Sequence, residues 1–122
     1  NPTCRLCRLH PETASHIFTQ CSFATRFWIR PSRLCQLRLV ASSSPNATNL
    51  FSWWRREVRH SSGVGRLKIN TLIVLVCWFI WLERNRCVFN DMQRSEQQLC
   101  YLAIDELADW KLAGFKGAAL IR

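Results

Sequence analysis

The 122-residue chain has no Gly-rich phosphate loop, no Gly-x-Ser-x-Gly elbow and no His-Glu-x-x-His pair. It also has no cluster of carboxylates suited to two-metal catalysis. These absences remove P-loop nucleotide hydrolysis, serine acyl transfer, zinc-protease chemistry and two-metal phosphoryl transfer. Acidic residues are few: eight Asp and Glu stand against 17 Lys and Arg, for a net charge of +9. Such a balance predicts attraction to polyanions, nucleic acid first and an anionic membrane second. Lysine is scarcer still, with three of the 17 basic positions. Arginine binds phosphate bidentately and stacks on bases, so this bias favours nucleic acid. No apolar run is long enough to span a bilayer, which takes about 20 residues. The longest, Leu72 to Leu82, has eleven residues, bounded by Lys68 and Asn70 on one side and by Glu83 and Arg84 on the other. It predicts a core helix. There is no internal repeat and no heptad seam.

What the chain does have is apolar and sulfur-rich. Apolar residues make up 48%, with six Trp and seven Phe, too many for a disordered chain. Seven cysteines are an odd count, which a secreted disulfide scaffold would avoid. The chain opens Asn-Pro-Thr-Cys, without Met and without an apolar leader. It is expected to be an excised segment or the product of an incomplete gene model. The compartment is expected to be intracellular and reducing, nucleus or cytoplasm.

Three thiols and one imidazole fall in the first 21 residues as Cys4-x2-Cys7-x8-His16-x4-Cys21. A Cys3His set meets the need of structural zinc for four soft or borderline ligands in a tetrahedron. The CxxC arm supplies two sulfurs from one tight turn, the HxxxxC arm supplies the other pair, and residues 8–15 close the loop. His10 competes for the histidine position, though Pro11 constrains its backbone, and Cys35 is a reserve thiol. Cys77, Cys87 and Cys100 lie on apolar helices and read as small core residues. Four soft ligands leave no open position for catalysis. Glu12 sits in the loop, but the HxE…PCxxC arrangement of zinc deaminases is missing.

The charge sits with this constellation. Residues 1–40 carry six Arg against one Glu, whereas residues 91–122 sum to −1. Arg5, Arg8, Arg26 and Arg30 are therefore the candidate phosphate contacts, and Phe18 and Trp28 the candidate stacking aromatics. Both aromatics have a plainer reading as packing under the loop. Trp53 and Trp54 beside Arg55 and Arg56 form a second basic-aromatic candidate, where core packing again competes.

Along the chain, residues 1–21 predict loops and turns. Ser22 is a good N-cap for a helix that Pro31 should end or kink at Arg30. A second short helix is expected from Ser32 to about Val40, with Leu34, Leu37 and Val40 inward. Residues 41–50 read as a linker, Phe51 to Arg59 as a short helix, and residues 60–65 as a break. The strongest helical pattern runs from Arg66 to about Asn90. Ser95-Glu-Gln-Gln98 has the form of a capping box. It opens a last helix with Leu99, Ala103, Leu107 and Trp110 on one stripe and Gly114 as its C-cap. The expected fold is mostly α. A Cys3His zinc module with its following helix (1–40) and a linker (41–50) precede a segment (51–122) packed round the 66–90 helix, giving a three- to four-helix core.

Taken together, Cys4-x2-Cys7, Pro11-Glu12-Thr13-Ala14, His16-Ile17-Phe18, Cys21, Phe23-Ala24 and Phe27-Trp28 resemble one known segment. It is the zinc-binding domain that follows reverse transcriptase in plant LINE-type (non-LTR) retrotransposons. Trp78-x-Ile80-Trp81-x-Glu83-Arg84-Asn85-x3-Phe89 resembles the segment after that domain, in the same order. The resemblance spans roughly residues 3 to 113. It implies zinc at Cys4, Cys7, His16 and Cys21 and an accessory role in handling template RNA or target DNA. Polymerase and RNase H domains of a parent polyprotein are the implied neighbours. It carries over no catalysis, because the chain has no YxDD-type pair, no endonuclease motif and no RNase H carboxylate set. The chain is therefore expected to be a non-catalytic, zinc-dependent nucleic-acid-binding module that does not engage membranes. The alternatives are a structural or protein-interaction module, or a relic.

Overall fold

A computed structural model describes residues 2–39, 49–59 and 61–121. Within them the protein is mostly α-helical and has no strand; a lone bridge pairs Thr3 with Pro11. A π-helical turn, His16–Gln20, leads into α1 (Ser22–Leu34). Then come α2 (Leu50–Arg59), α3 (Val64–Asn90), α4 (Glu96–Leu112) and a single-turn α5 (Lys116–Ala119). The expected linker, apart from Asn49 and Leu50, lies outside the described residues.

Helix α3 organises the rest: α1, α2, α4, α5 and the π-turn all touch it, and α1 also packs along α4. One apolar cluster runs from Cys4 and Leu6 through α1, α3 and α4 to Ala118 and Ile121. By length and composition α3 is the one described helix that could cross a membrane. Here Leu72, Ile73, Leu75, Val76 and Ile80 are fully enclosed by the other helices. Val74, Trp78, Trp81 and Leu82 on its other side remain partly exposed.

Helix α1 corrects the expected break at Arg30. It runs through Pro31 to Leu34 as one helix. Proline inside a helix costs about 3 kcal/mol. Burial of Phe27 and Trp28, at roughly 2–3 kcal/mol each, and of the proline ring itself outweighs that cost. The helix stops a turn later because Gln36 adopts φ 57°. Leu37 N–H then donates to Ser32 O at 2.8 Å and Gln36 N–H to Arg33 O at 3.0 Å, a Schellman closure without glycine. The expected second helix does not form over residues 32–39, and Leu34 points outward, 52% exposed. Val40 lies outside the described residues.

Other boundaries fall close to expectation. The Ser95 hydroxyl accepts from Gln98 N–H while the Gln98 side chain accepts from Ser95 N–H, completing the capping box. Gly114, at φ 89°, closes α4 as Phe115 N–H donates to Trp110 O. Trp53 is buried with its ring 5.1 Å from that of Trp28, and Trp54 Nε1 donates to Asn70 Oδ1, so both pack inward while Arg55 and Arg56 stay exposed.

Candidate metal centre

Residues 2–21 hold more regular structure than loops and turns. The CxxC arm is a tight turn in which Arg8 N–H donates to Cys4 O at 2.8 Å. Arg8 itself sits at φ 61°, a left-handed position that costs a non-glycine residue about 1–2 kcal/mol. Cys4 N–H donates to His10 O, and Glu12 N–H to Pro2 O, so the loop between the two arms is stitched back onto the chain's start.

The second arm is helical from Ala14. Thr13 caps it: its Oγ1 accepts from His16 N–H at 3.0 Å and its carbonyl accepts from Ile17 N–H. The π-turn then explains how an HxxxxC spacing can chelate. In an α-helix, residues five apart point about 140° away from one another. At about 4.4 residues per turn they come within about 50°. The closing bond, Cys21 N–H to His16 O, spans those five residues and puts both side chains on one side.

Cys4, Cys7, His16 and Cys21 converge, with their ligand atoms all within 4.8 Å of one another. Cys4 Sγ and Cys21 Sγ are 3.8 Å apart. A zinc tetrahedron with Zn–S near 2.3 Å has an S···S edge of about 3.8 Å. Cys7 Sγ and His16 Nε2 are 3.2 Å apart, somewhat inside the corresponding S···N edge of about 3.6 Å. Donor types, number and spacing thus fit one tetrahedral ion. Three of the four residues are buried. The hydrogen bond with Cys21, against the effect of burial and helped by the amides of Cys7 and Leu6, pulls the Cys4 thiol down to about 4. The same contact, helped by burial, pushes Cys21 up. A dication at the centre is what would let both sulfurs be thiolates.

The competing ligands stand outside. His10 is exposed, its ring centroid 5.4 Å from that of His16. Cys35 is buried at the end of α1, and Cys87 and Cys100 are core residues. Burial pushes the Cys77 thiol up to about 12. No family model, curated protein or solved structure matches the chain.

The arginines named from the sequence divide between two neighbours. Arg5 Nη2 donates to Cys87 O at 3.4 Å. Burial, helped by Glu83, holds the Cys87 thiol above its ordinary value, and exposed Arg8 with Arg5 offsets part of that rise. Arg5 therefore stands at the C-terminal end of α3, with Arg8 three residues further along the same loop. Arg26 is instead tied to Glu96 at the start of α4, 3.2 Å, and exposed Arg30 lies near Cys100 of α4. Trp28 is 1% exposed, with Nε1 donating to Phe18 O at 2.7 Å, so its ring is not available for stacking on a base. Phe18 is half-buried against the same core.

Sequence reasoning missed what Glu12 does. Its Oε1 accepts from Arg84 Nε of α3 at 2.9 Å and its Oε2 from Arg5 N–H at 3.3 Å. The acid in the loop anchors the metal arm to the central helix; it does not face the metal cluster as a general base. Arg84 is also set against Trp81, 5.1 Å from the ring centroid. Glu83, read as a polar boundary of the apolar run, is 0% exposed and accepts from Arg94 N–H and the Arg94 guanidinium. Arg86 and Arg94 were not singled out either. Their only sequence signal was positive charge near a helix end.

Proposed function

We propose that this protein is a non-catalytic nucleic-acid-binding module held together by structural zinc, with its origin in the reverse-transcriptase tail of a LINE-type retrotransposon. The observation that carries the reading is the position of Arg5 and Arg8. They flank Cys7 on the loop, and Arg5 reaches the C-terminal end of α3. Bound zinc would supply a fixed node and, with four protein ligands, no open position for a substrate. The residues of the chain do the rest. Cys4, Cys7, His16 and Cys21 fix the loop, Glu12 ties it to Arg84, and Arg5 and Arg8 meet phosphates. The two stretches that carry the retroelement resemblance touch in the fold, where Glu12 of the first pairs with Arg84 of the second.

The test is binding of zinc-loaded protein to labelled RNA and DNA across a salt series. Affinity is expected to fall steeply with salt, with a log–log slope of about −0.7 to −0.9 per phosphate contact. Arg5→Gln/Arg8→Gln should flatten that slope by roughly one to two. Salt-insensitive binding, or none, rejects the proposal.

A second reading is favoured by the exposed apolar face of α3, where Val74, Trp78, Trp81 and Leu82 are 38–49% exposed. A protein-interaction module would use that face. The same experiment separates the readings. Under the second, neutralising Arg5 and Arg8 changes no specific interaction, and Trp78→Ser/Trp81→Ser does.

A further inference from the structure

The turn between α3 and α4 forms a cleft of about 660 Å3, lined by Arg86, Met92, Gln93, Arg94, Gln98 and Tyr101 among others. That volume suits a ligand the size of a nucleotide. The lining contains two guanidinium groups and no carboxylate. Arg86 is poorly satisfied. Among the described residues its buried Nε has no hydrogen-bond partner, and its Nη2 meets the Met92 sulfur at 3.9 Å. A thioether is a weak acceptor on a flexible, here exposed, side chain. Arg94 is held by buried Glu83 at 3.5 Å, is itself 36% exposed and lines the cleft. Tyr101 exposes 56% of its surface on the next turn of α4, its hydroxyl accepting from Gln97. Gln93 donates to Leu6 O, inside the CxxC turn, at 3.4 Å. The wall of the cleft is thus attached to the metal loop.

We propose that this cleft holds one nucleotide of a single strand, with the phosphate on Arg86 and Arg94 and the base stacked on Tyr101. The phosphate displaces Met92 and gives the Arg86 guanidinium the strong acceptor it lacks. Stacking on a lone exposed tyrosine is open to any base, but only an unpaired one can reach it. The inference rests on the nucleic-acid reading above and adds to it a strand preference and a second contact region beyond Arg5 and Arg8.

The test uses the full chain loaded with zinc, a fluorescein-labelled 12-nucleotide oligo(dT), and a duplex of the same length. Wild type should bind the single strand more tightly than the duplex. Tyr101→Ala should weaken single-strand binding about tenfold with an unchanged salt slope and leave duplex binding as it was. Arg86→Gln should weaken it about tenfold and flatten the slope by about 0.7. Arg86→Lys, which keeps the charge without the fork, should recover the slope but only part of the affinity. Tyr101 is exposed, so its variant keeps the fold, and Arg86→Gln is checked by its helical circular dichroism and zinc content. If wild type binds neither probe, the nucleic-acid reading itself fails. If wild type binds but Tyr101→Ala and Arg86→Gln bind like wild type, or lose duplex and single strand alike, the cleft is not the site and the broader reading stands.

Discussion

Among single residues, the choice between two histidines decides what the N-terminal arm is. Both were available by spacing, and the HxxxxC arm is the one that the π-turn turns inward. His16 Nε2 reaches the Cys7 sulfur, while His10 is exposed and contributes its carbonyl to Cys4 N–H. Metal analysis should therefore find one zinc per chain, lost in Cys4→Ser and His16→Ala and retained in His10→Ala. Retention by His16→Ala, with loss in His10→Ala, would reverse the assignment. The ligand set was legible in the sequence because all four residues lie within 18 positions of one another and their chemistry is local. Glu12 was not legible as an anchor, because its partner Arg84 is 72 residues away. Nor was Glu83. A carboxylate at the end of an apolar run reads as a boundary, and only the return of Arg94 from the following turn makes its burial tolerable.

For the helices, the boundaries were readable wherever a side chain or glycine closes the backbone locally. Ser95 with Gln98 and Gly114 are such places, and α4 begins and ends at them. Pro31 misleads for the opposite reason: its cost is local and its compensation, the packing of α1 on α3 and α4, is not. Close approach between helices was equally hidden. Gly117 of α5 lies so near α3 that an added Cβ would sit 1.9 Å from Thr71 Oγ1 and 3.0 Å from the Leu67 carbonyl oxygen. Thr71 is not free to swing away without losing its 2.8 Å bond to that same carbonyl. Gly117→Ala is expected to destabilise the fold by about 1–3 kcal/mol, the usual cost of overpacking. Its helix propensity gain of up to about 1 kcal/mol is too small to compensate. Adding Thr71→Ala removes the nearer clash and should recover part of the loss in thermal unfolding. If Gly117→Ala melts at the wild-type temperature, α5 does not pack on α3 as described.

In the whole molecule, two kinds of cohesion meet at α1. Residues 2–13 hold no helix and only a few backbone hydrogen bonds, so an ion bound by Cys4, Cys7, His16 and Cys21 would supply much of their order. Helices α3 and α4 are held by a continuous apolar cluster that reaches Cys4, Leu6 and Cys21 but does not depend on them for most of its area. Ile17, Phe23, Phe27 and Trp28 join the two regions. Removing the metal should therefore unfold the molecule in part. Hydrogen exchange after chelation is expected to show fast exchange at the amides of Cys4, Arg8, Glu12 and Cys21, each of which donates to a backbone carbonyl in the folded arm. The amides within residues 69–87 and 99–107 should stay protected, because they belong to the buried faces of α3 and α4. The turn at residues 91–95 should behave as the arm does, since Gln93 leans on Leu6 and loses that contact when the loop opens. Uniform loss of protection over all helices would mean that zinc holds the entire core. No change at the arm would mean that its hydrogen bonds hold it without the ion.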